Sequence, residues 1–506
     1  MLAFVREYEG ETVLVLANLS KYVQCARINL DRFKGTVPME LFGRMRFPEV
    51  TDAPYFISLG PYDFYWLALT HAHEHDLPAD RPALQAQGSW LSLFEPSRRA
   101  PLARTLMAYV AQRRWFRGKA RTRKQTNITD IVRFEGDRFA IVFLAIDYDQ
   151  GPSETYVVPI AFAEDAESSE SMRTPQLVIG HVTISNVPGR GEHPVTGVLY
   201  DALCADGFNG TLMRAMASGL GAAGARGQLS GNAFAALREL EDPSMLVARA
   251  TAADQSNSGV VFGDKLMLKL FRAIEEGPSS EFEIARFLST REPPYHGTPR
   301  LAGVLEYTQP GREPATLGTM FEFVQNQGDA WQLTMSALDR YFEHLLAEEA
   351  LPDAPPAHSG GLLDWARQTP SDRVLDWVGS YMDNIRLLGL RTAELHLVLA
   401  SEPSDPLFAP EPYDIMHQQS IYGSASALMS RTFDLLRGKL HSLAPETRAL
   451  AEAALAREGE IDSSISRITK RRIDVQRIRV HGDYHLGQVL WTGENFLIID
   501  FEGEPG

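Results

Sequence analysis

The residues best suited to chemistry lie between Ile478 and Glu502. The chain there reads Ile478-Arg479-Val480-His481-Gly482-Asp483-Tyr484-His485-Leu486-Gly487-Gln488, then Val489-Leu490-Trp491, Thr492-Gly493-Glu494-Asn495, Phe496-Leu497-Ile498-Ile499 and Asp500-Phe501-Glu502. Two apolar runs, Val489 to Trp491 and Phe496 to Ile499, flank a polar turn that contains glycine, the pattern of a β-hairpin. A hairpin returns Asp500 to the loop holding Asp483 and Gln488, although Asp483 and Asp500 are 17 positions apart. Two carboxylates and one amide oxygen then converge on one spot. Hard oxygen ligands of this kind hold Mg²⁺, which neutralises charge developing between phosphates. A nearby carboxylate can accept the proton of an attacking hydroxyl. Phosphoryl transfer is the chemistry these residues suit best. A metallohydrolase fragment using the His-x-Asp-x-His spacing, or a buried polar turn without chemistry, are the alternatives.

The pattern His-Gly-Asp-x-His-x-x-Gln, followed by the hairpin and Ile-Asp-Phe, resembles the kinase-like phosphotransferases, the group of aminoglycoside and choline kinases. The resemblance implies Asp483 as base, with Gln488 and Asp500 as metal ligands. Gln488 stands where Asn is usual and supplies the same oxygen on a longer arm; Glu502 is placed to reach the metal too. Such a site needs an upstream grip on ATP. Ser256-Asn257-Ser258-Gly259, expected between strands, can present backbone N–H groups to phosphates. Lys269 sits inside the apolar run Leu266 to Phe271, where an unpaired ammonium is costly. It must pair with a phosphate or with a carboxylate of the next helix. Glu281 and Glu283 lie about 200° apart on a helix, so only one faces inward; the run Glu-x-x-x-Phe-Leu favours Glu283. Phe321 to Trp331 reads as an apolar run ending in a polar turn, in which Glu322 and Val324 offer backbone groups to adenine.

The elements that must position these residues follow from pattern. Residues 1–70 contain short strand-like runs separated by turn residues, which predicts a small all-β sandwich. Residues 71–89 read as a linker in which His71, His73 and His75 alternate; solvated histidines are favoured there over a metal site. Residues 90–215 predict a helix, Leu102 to Ala111, then strands at Ile128–Phe134, Phe139–Tyr148, Thr155–Phe162 and Gln176–Ile184. The basic run from Arg113 to Arg121 contains Trp115 and Phe116 and reads as a packing or solvated surface rather than a nucleic-acid patch. Residues 217–231, rich in Gly and Ala, predict a flexible boundary. Strands then precede helices, the order of a two-lobed α+β unit, with one unit over 232–325 and another from 326 onward.

Composition narrows the class. Hydrophobic residues make up 44% and charged residues 23%, which excludes wholesale disorder. The net charge, 49 − 65 = −16, disfavours nucleic acid and anionic membranes as partners. Two cysteines, Cys25 and Cys204, allow no disulfide framework and point to a reducing, cytoplasmic setting. The longest apolar run, Phe139 to Ile146, is far short of the ~20 residues of a membrane span.

Several separated segments carry a narrower resemblance. Arg114 to Lys119, Gln255 to Ser258, Leu268 to Arg272 with Glu275 to Pro278, Val324 to Trp331 and His481 to Pro505 together resemble maltokinases. The resemblance covers about 90–506. It implies a bilobal protein-kinase-like fold with an N-terminal α/β cap, ATP and Mg²⁺ as cofactors, and transfer of the γ-phosphate to the anomeric hydroxyl of maltose for α-glucan synthesis. Phe4-x-Arg6-Glu7-Tyr8, Leu16 to Ser20 and Glu40 to Gly43 resemble the C-terminal β-sandwich of trehalose synthase, which in some bacteria is fused ahead of maltokinase. Association with other α-glucan enzymes fits that arrangement. The family continues past the point corresponding to Gly506 with further helices, so the sequence as given is expected to be weakly active or inactive. A trehalose synthase (maltose/trehalose isomerase) fragment, a kinase acting on another small sugar and an inactive scaffold are the other readings.

Overall fold

The computed structural model describes residues 2–503 apart from 9–10, 21–23, 42–46, 48–49, 51–54, 60–63, 72–82, 135, 165–176, 191–192, 206, 220, 252–256, 348–360 and 371. The chain forms two compact units, residues 1–153 with 158–208, and residues 154–157 with 209–506.

The first unit opens with strands β1 (Leu2–Tyr8), β2 (Glu11–Ala17), β3 (Gln24–Ile28), β4 (Thr36–Glu40), β5 (Tyr55–Leu59) and β6 (Phe64–His71). Four of them form an antiparallel sheet in the order β1-β2-β6-β4, and β3 pairs with β5. Side chains alternate across a strand, so Leu14 and Leu16 of β2 share a face with Leu67 and Leu69 of β6. They meet Tyr55, Ile57 and Leu59 of β5 in one core. His71 ends β6, and His73 and His75 lie outside the described residues.

A strand, β7 (Leu84–Gln87), lies where a linker was expected. Its Leu-Gln-Ala-Gln alternation buries Leu84 and Ala86 and leaves both glutamines exposed, and it pairs in parallel with β11. The rest of this unit is α1 (Pro96–Ala111), β8 (Arg123–Phe134), β9 (Phe139–Tyr148), β10 (Glu154–Glu164), β11 (Val178–Ser185) and β12 (Val195–Asp201). The sheet order is β7-β11-β12-β10-β9-β8. Helix α1 buries Leu102, Leu106, Tyr109 and Val110. The Tyr109 hydroxyl donates to the fully buried Asp201 at 2.9 Å. Trp115 and Phe116 are buried as well, while Arg113 lies over Tyr109 and Arg121 over Tyr148. The aromatic residues of the basic run therefore serve packing.

The second unit begins with α2 (Phe208–Ser218), β13 (Ala222–Ala223), β14 (Gln228–Ala233), α3 (Ala235–Arg238), β15 (Ala248–Ala250), β16 (Asn257–Phe262), β17 (Leu266–Phe271) and β18 (Ala273–Ile274). It continues with α4 (Ser280–Thr290), β19 (Leu301–Thr308) and β20 (Ala315–Glu322). Seven strands form a sheet in the order β13-β14-β19-β20-β17-β16-β15. Two of them occupy the stretch expected to be a flexible boundary. The glycines there serve close approach: a Cβ on Gly231 would lie 2.5 Å from the Ala215 carbonyl oxygen.

Helices then dominate: α5 (Ala330–Ala347), α6 (Leu362–Ala366), α7 (Asp372–Val378) and α8 (Tyr381–Leu399), then β21 (Glu411–Pro412), α9 (Ile415–Lys439), α10 (Pro445–Ala456) and α11 (Glu458–Ser466). Strand β22 (Gln476–Arg477) precedes the hairpin of β23 (Val489–Trp491) and β24 (Phe496–Ile498). Val489, Phe496 and Ile498 of the hairpin share a core with Ile284 and Leu288 of α4, Ala330 of α5, and Leu395 and Leu399 of α8. No helix among the described residues is long and apolar enough to cross a membrane.

Candidate active site

The hairpin forms in the register that its apolar runs predict: Val489 opposite Ile498, Leu490 opposite Leu497, Trp491 opposite Phe496. Its turn is closed by Thr492, whose hydroxyl accepts the Asn495 N–H at 3.0 Å, and Gly493 takes φ 96°. Beyond the turn, the Ile499 N–H donates to the Gln488 carbonyl at 2.9 Å. The Gln488 side-chain amide donates to Asp500 Oδ2, also at 2.9 Å. Asp500 itself has φ 68°, a left-handed conformation that few non-glycine residues adopt and that recurs at functional sites.

Lys269 comes to the same place from β17, where it pairs with Gly259 on one side and Thr319 on the other. Its ammonium reaches Asp500 Oδ1 at 2.5 Å and Glu281 Oε1 at 3.3 Å, and it also contacts Glu502. The other Glu281 oxygen accepts the Thr319 hydroxyl at 3.1 Å. Glu502 in turn accepts from the Asn257 side-chain amide at the start of β16. Burial disfavours the charge on Lys269, but Glu281, Glu502 and Asp500 outweigh it and raise the lysine above its ordinary value. Burial pushes the Glu281 carboxyl up to about 7, against the pull of Lys269 and with the help of Glu502 and Asp500.

The expected partner of Lys269 needs correction. The N-cap of α4, where the Ser279 hydroxyl accepts the Phe282 N–H at 3.2 Å, fixes the start of the helix. Phe282 and Ala285 then pack on Leu301 and Val304 of β19, which turns Glu281 toward β17. Glu283, about 200° round the helix, points elsewhere and pairs with Arg479 at 2.6 Å. The ATP-gripping segment also differs. Asn257 and Ser258 are the first residues of β16, and Ser256 lies outside the described residues. The Ser258 hydroxyl accepts from Arg272 Nε at 2.8 Å. Asn257 reaches the site through Glu502, by a side-chain contact that spacing does not reveal.

Glu322 closes β20, and its N–H is committed to the Arg300 carbonyl at 2.9 Å; the Val324 carbonyl accepts the Asn326 side-chain amide at 3.0 Å. The segment after them holds the hairpin. The Gln327 N–H donates to the Trp491 carbonyl at 2.7 Å, and the Trp491 N–H returns a bond to the Gly328 carbonyl at 2.9 Å.

His481, to which the spacing assigned no role, joins the two carboxylate segments. It is 3% exposed. Its Nδ1 accepts the Asp483 N–H at 3.3 Å, which assigns the proton to Nε2, and Nε2 lies 2.7 Å from the Ile499 carbonyl. Burial pulls its pKa below the ordinary histidine value. Gly482, at φ 91°, passes so close to Gly503 that a Cβ would lie 2.9 Å from the Gly503 Cα. Asp483 follows on the open side of this loop, its side chain 38% exposed and 3.9 Å from His485 Nε2.

One oxygen each of Glu281, Asp500 and Glu502 lie within 4.8 Å of one another. Ionised, the three carboxylates carry −3 against +1 on Lys269, an excess that suits a divalent cation. The carboxylate oxygens of Glu281, Asp500 and Glu502 fit Mg²⁺ in type, whereas Gln488 turns its amide N–H, not the expected oxygen, toward Asp500.

Residues 1–66 match the maltogenic amylase C-terminal domain, and residues 109–204 match the maltokinase N-terminal cap domain. A trehalose synthase of Thermus thermophilus is 48% identical over 69 residues, which are 14% of this chain and 7% of that protein. The trehalose synthase/amylase of Mycobacterium tuberculosis is 37% identical over 81 residues, 15% of this chain and 13% of that protein. A glucosamine kinase of Mycolicibacterium smegmatis is 22% identical over 259 residues, 51% of this chain and 52% of that protein. The chain thus spans about half or less of the length of these relatives. A solved glucosamine kinase in complex with glucosamine, ADP and inorganic phosphate aligns over 79% of this chain and 72% of its own, at 16% identity and TM-score 0.43. Residues 1–66 and 109–204 are thus similar, in that order, to a maltogenic amylase C-terminal domain and a maltokinase N-terminal cap domain.

Proposed function

We propose that the second unit transfers the γ-phosphate of ATP to a sugar hydroxyl, and that the sugar is maltose, phosphorylated at its anomeric hydroxyl. The observation that carries this reading is the meeting of Lys269, Glu281, Gln488, Asp500 and Glu502, drawn from two distant parts of the sequence. The maltokinase cap match and the partial similarity to a glucosamine kinase support a sugar as acceptor, and the cap favours maltose. The two-lobed kinase-like layout belongs to the same reading, with β13–β20 as the nucleotide lobe and α5 onward as the acceptor lobe.

In this mechanism Lys269 holds the nucleotide phosphates, and Glu281 keeps the ammonium in line with them. Asn257 and Ser258 lie at the start of the adjacent strand, and at Glu322 and Val324 only backbone groups not already bonded to Arg300 and Asn326 would meet the base. Asp500 and Glu502 are the residues that would hold Mg²⁺, with the Gln488 amide bonded to Asp500; the bound charge offsets that of the phosphates. Asp483, open to solvent, takes the proton of the sugar hydroxyl as the oxygen bonds to the γ-phosphorus and the bond to ADP breaks. The products are a sugar phosphate and ADP, here maltose 1-phosphate for α-glucan synthesis. Incubation with labelled ATP, Mg²⁺ and a panel of sugars tests this: label in maltose 1-phosphate supports it, and label in glucosamine alone replaces the acceptor.

A further inference from the structure

The two acidic residues of α4 are each paired, in different directions. Glu281 faces Lys269. Glu283 pairs with Arg479, four residues before Asp483, at 2.6 Å and across 196 positions of sequence. Both partners are largely withdrawn from water, with side chains 15% and 20% exposed. The Arg479 guanidinium also lies 5.2 Å from the ring centroid of Phe408, and Phe408 stacks on Phe287 of α4 at 3.9 Å. Arg479 is thus clamped by α4 on one side and by a ring that α4 itself supports on the other. A planar guanidinium suits such a combined ionic and stacking role.

We propose that Glu283 and Arg479 are positioning residues. Their ion pair reinforces the rotation of α4 that its buried apolar face sets, so that Glu281 stays on Lys269 while the helix is tied to the segment entering the Asp483 loop. Packing of Phe282 and Ala285 on β19, and of Ile284 and Leu288 on the hairpin, seats the helix, and a tie about 200° from Glu281 adds a second restraint on its rotation. The pair acts on phosphoryl transfer through Lys269, and in that sense rests on the kinase reading.

The test reads Lys269 directly. Acetic anhydride acylates lysines that are free and accessible, and mass spectrometry compares Lys269 with Lys265, whose side chain is 57% exposed. In the unaltered chain Lys269 should react far more slowly than Lys265. In Glu283→Gln and Arg479→Met, Lys269 should react measurably faster relative to Lys265, although Asp500 and Glu502 still contact it. Arg479→Lys, which keeps the charge, should restore most of the protection. The double variant should react no faster than either single one, because both break one link. Lys269 as protected in both folded single variants as in the unaltered chain overturns the proposal. Where Arg479→Met unfolds, the near-isosteric Glu283→Gln decides. Mg²⁺–ADP affinity is measured on the same samples: its absence in the unaltered chain overturns the kinase reading, while the labelling still judges the ion pair.

Discussion

Lys269 and Asp483 are the two ends on which the proposed function rests, and their surroundings differ. Lys269 is withdrawn from water and contacts three carboxylates, so its charge is committed before any ligand arrives. Asp483 is held by its backbone, through His481, and its side chain is 38% exposed and 3.9 Å from His485 Nε2. Under the proposed function the first end is bound into the fold and the second does the chemistry. Substitutions at the two ends should therefore separate stability from chemistry.

The largest effect is expected at the open end. Asp483→Asn should lower ATP-dependent sugar phosphorylation by roughly 10²–10⁴-fold, the usual worth of a general base, with Mg²⁺–ADP affinity unchanged by calorimetry. An equal loss of nucleotide affinity would move Asp483 to the buried end of the comparison. Next in size, Lys269→Met leaves three carboxylates without their cation. Loss of one partner from a buried ionic group costs about 3–5 kcal/mol, readable as a lower midpoint in guanidinium unfolding.

A smaller effect belongs to His481, which links the two ends. Its folded pKa lies below the ordinary value because burial disfavours the charged ring. The unfolded chain then binds the proton more readily, so the contribution of His481 to stability is full above about pH 6.5 and declines as the pH falls below it. His481→Phe should flatten that decline between pH 7.5 and 5.5 in denaturant melts; an unchanged slope would remove the histidine from the account. The smallest effect is the change in stability for Asp483→Asn, expected within about 0.5 kcal/mol, as for exposed positions generally.

What the sequence made legible was local. The hairpin was readable because two apolar runs flank a turn containing glycine, and its register set Asp500 beside Gln488. Lys269 was readable because a lysine inside an apolar strand demands a partner. The choice between Glu281 and Glu283 was not readable. Helix geometry allowed one inward acid, but which one depends on how Phe282 and Ala285 seat on β19 and on an arginine 196 positions away. The joining role of His481 escaped for the same reason, since its second partner is the carbonyl of Ile499. The strand at Leu84–Gln87 was hidden by the polar residues around it, although its own alternation carried the signal.

The most direct test of the central claim is thermal unfolding of the 506-residue chain with ADP, with and without Mg²⁺, beside Asp500→Asn. The account predicts a rise in Tm that needs both ADP and Mg²⁺, about 2.7 kcal/mol of stabilisation at a hundred times Kd, and that Asp500→Asn abolishes. No rise in the unaltered chain, or the same rise in Asp500→Asn, would contradict it.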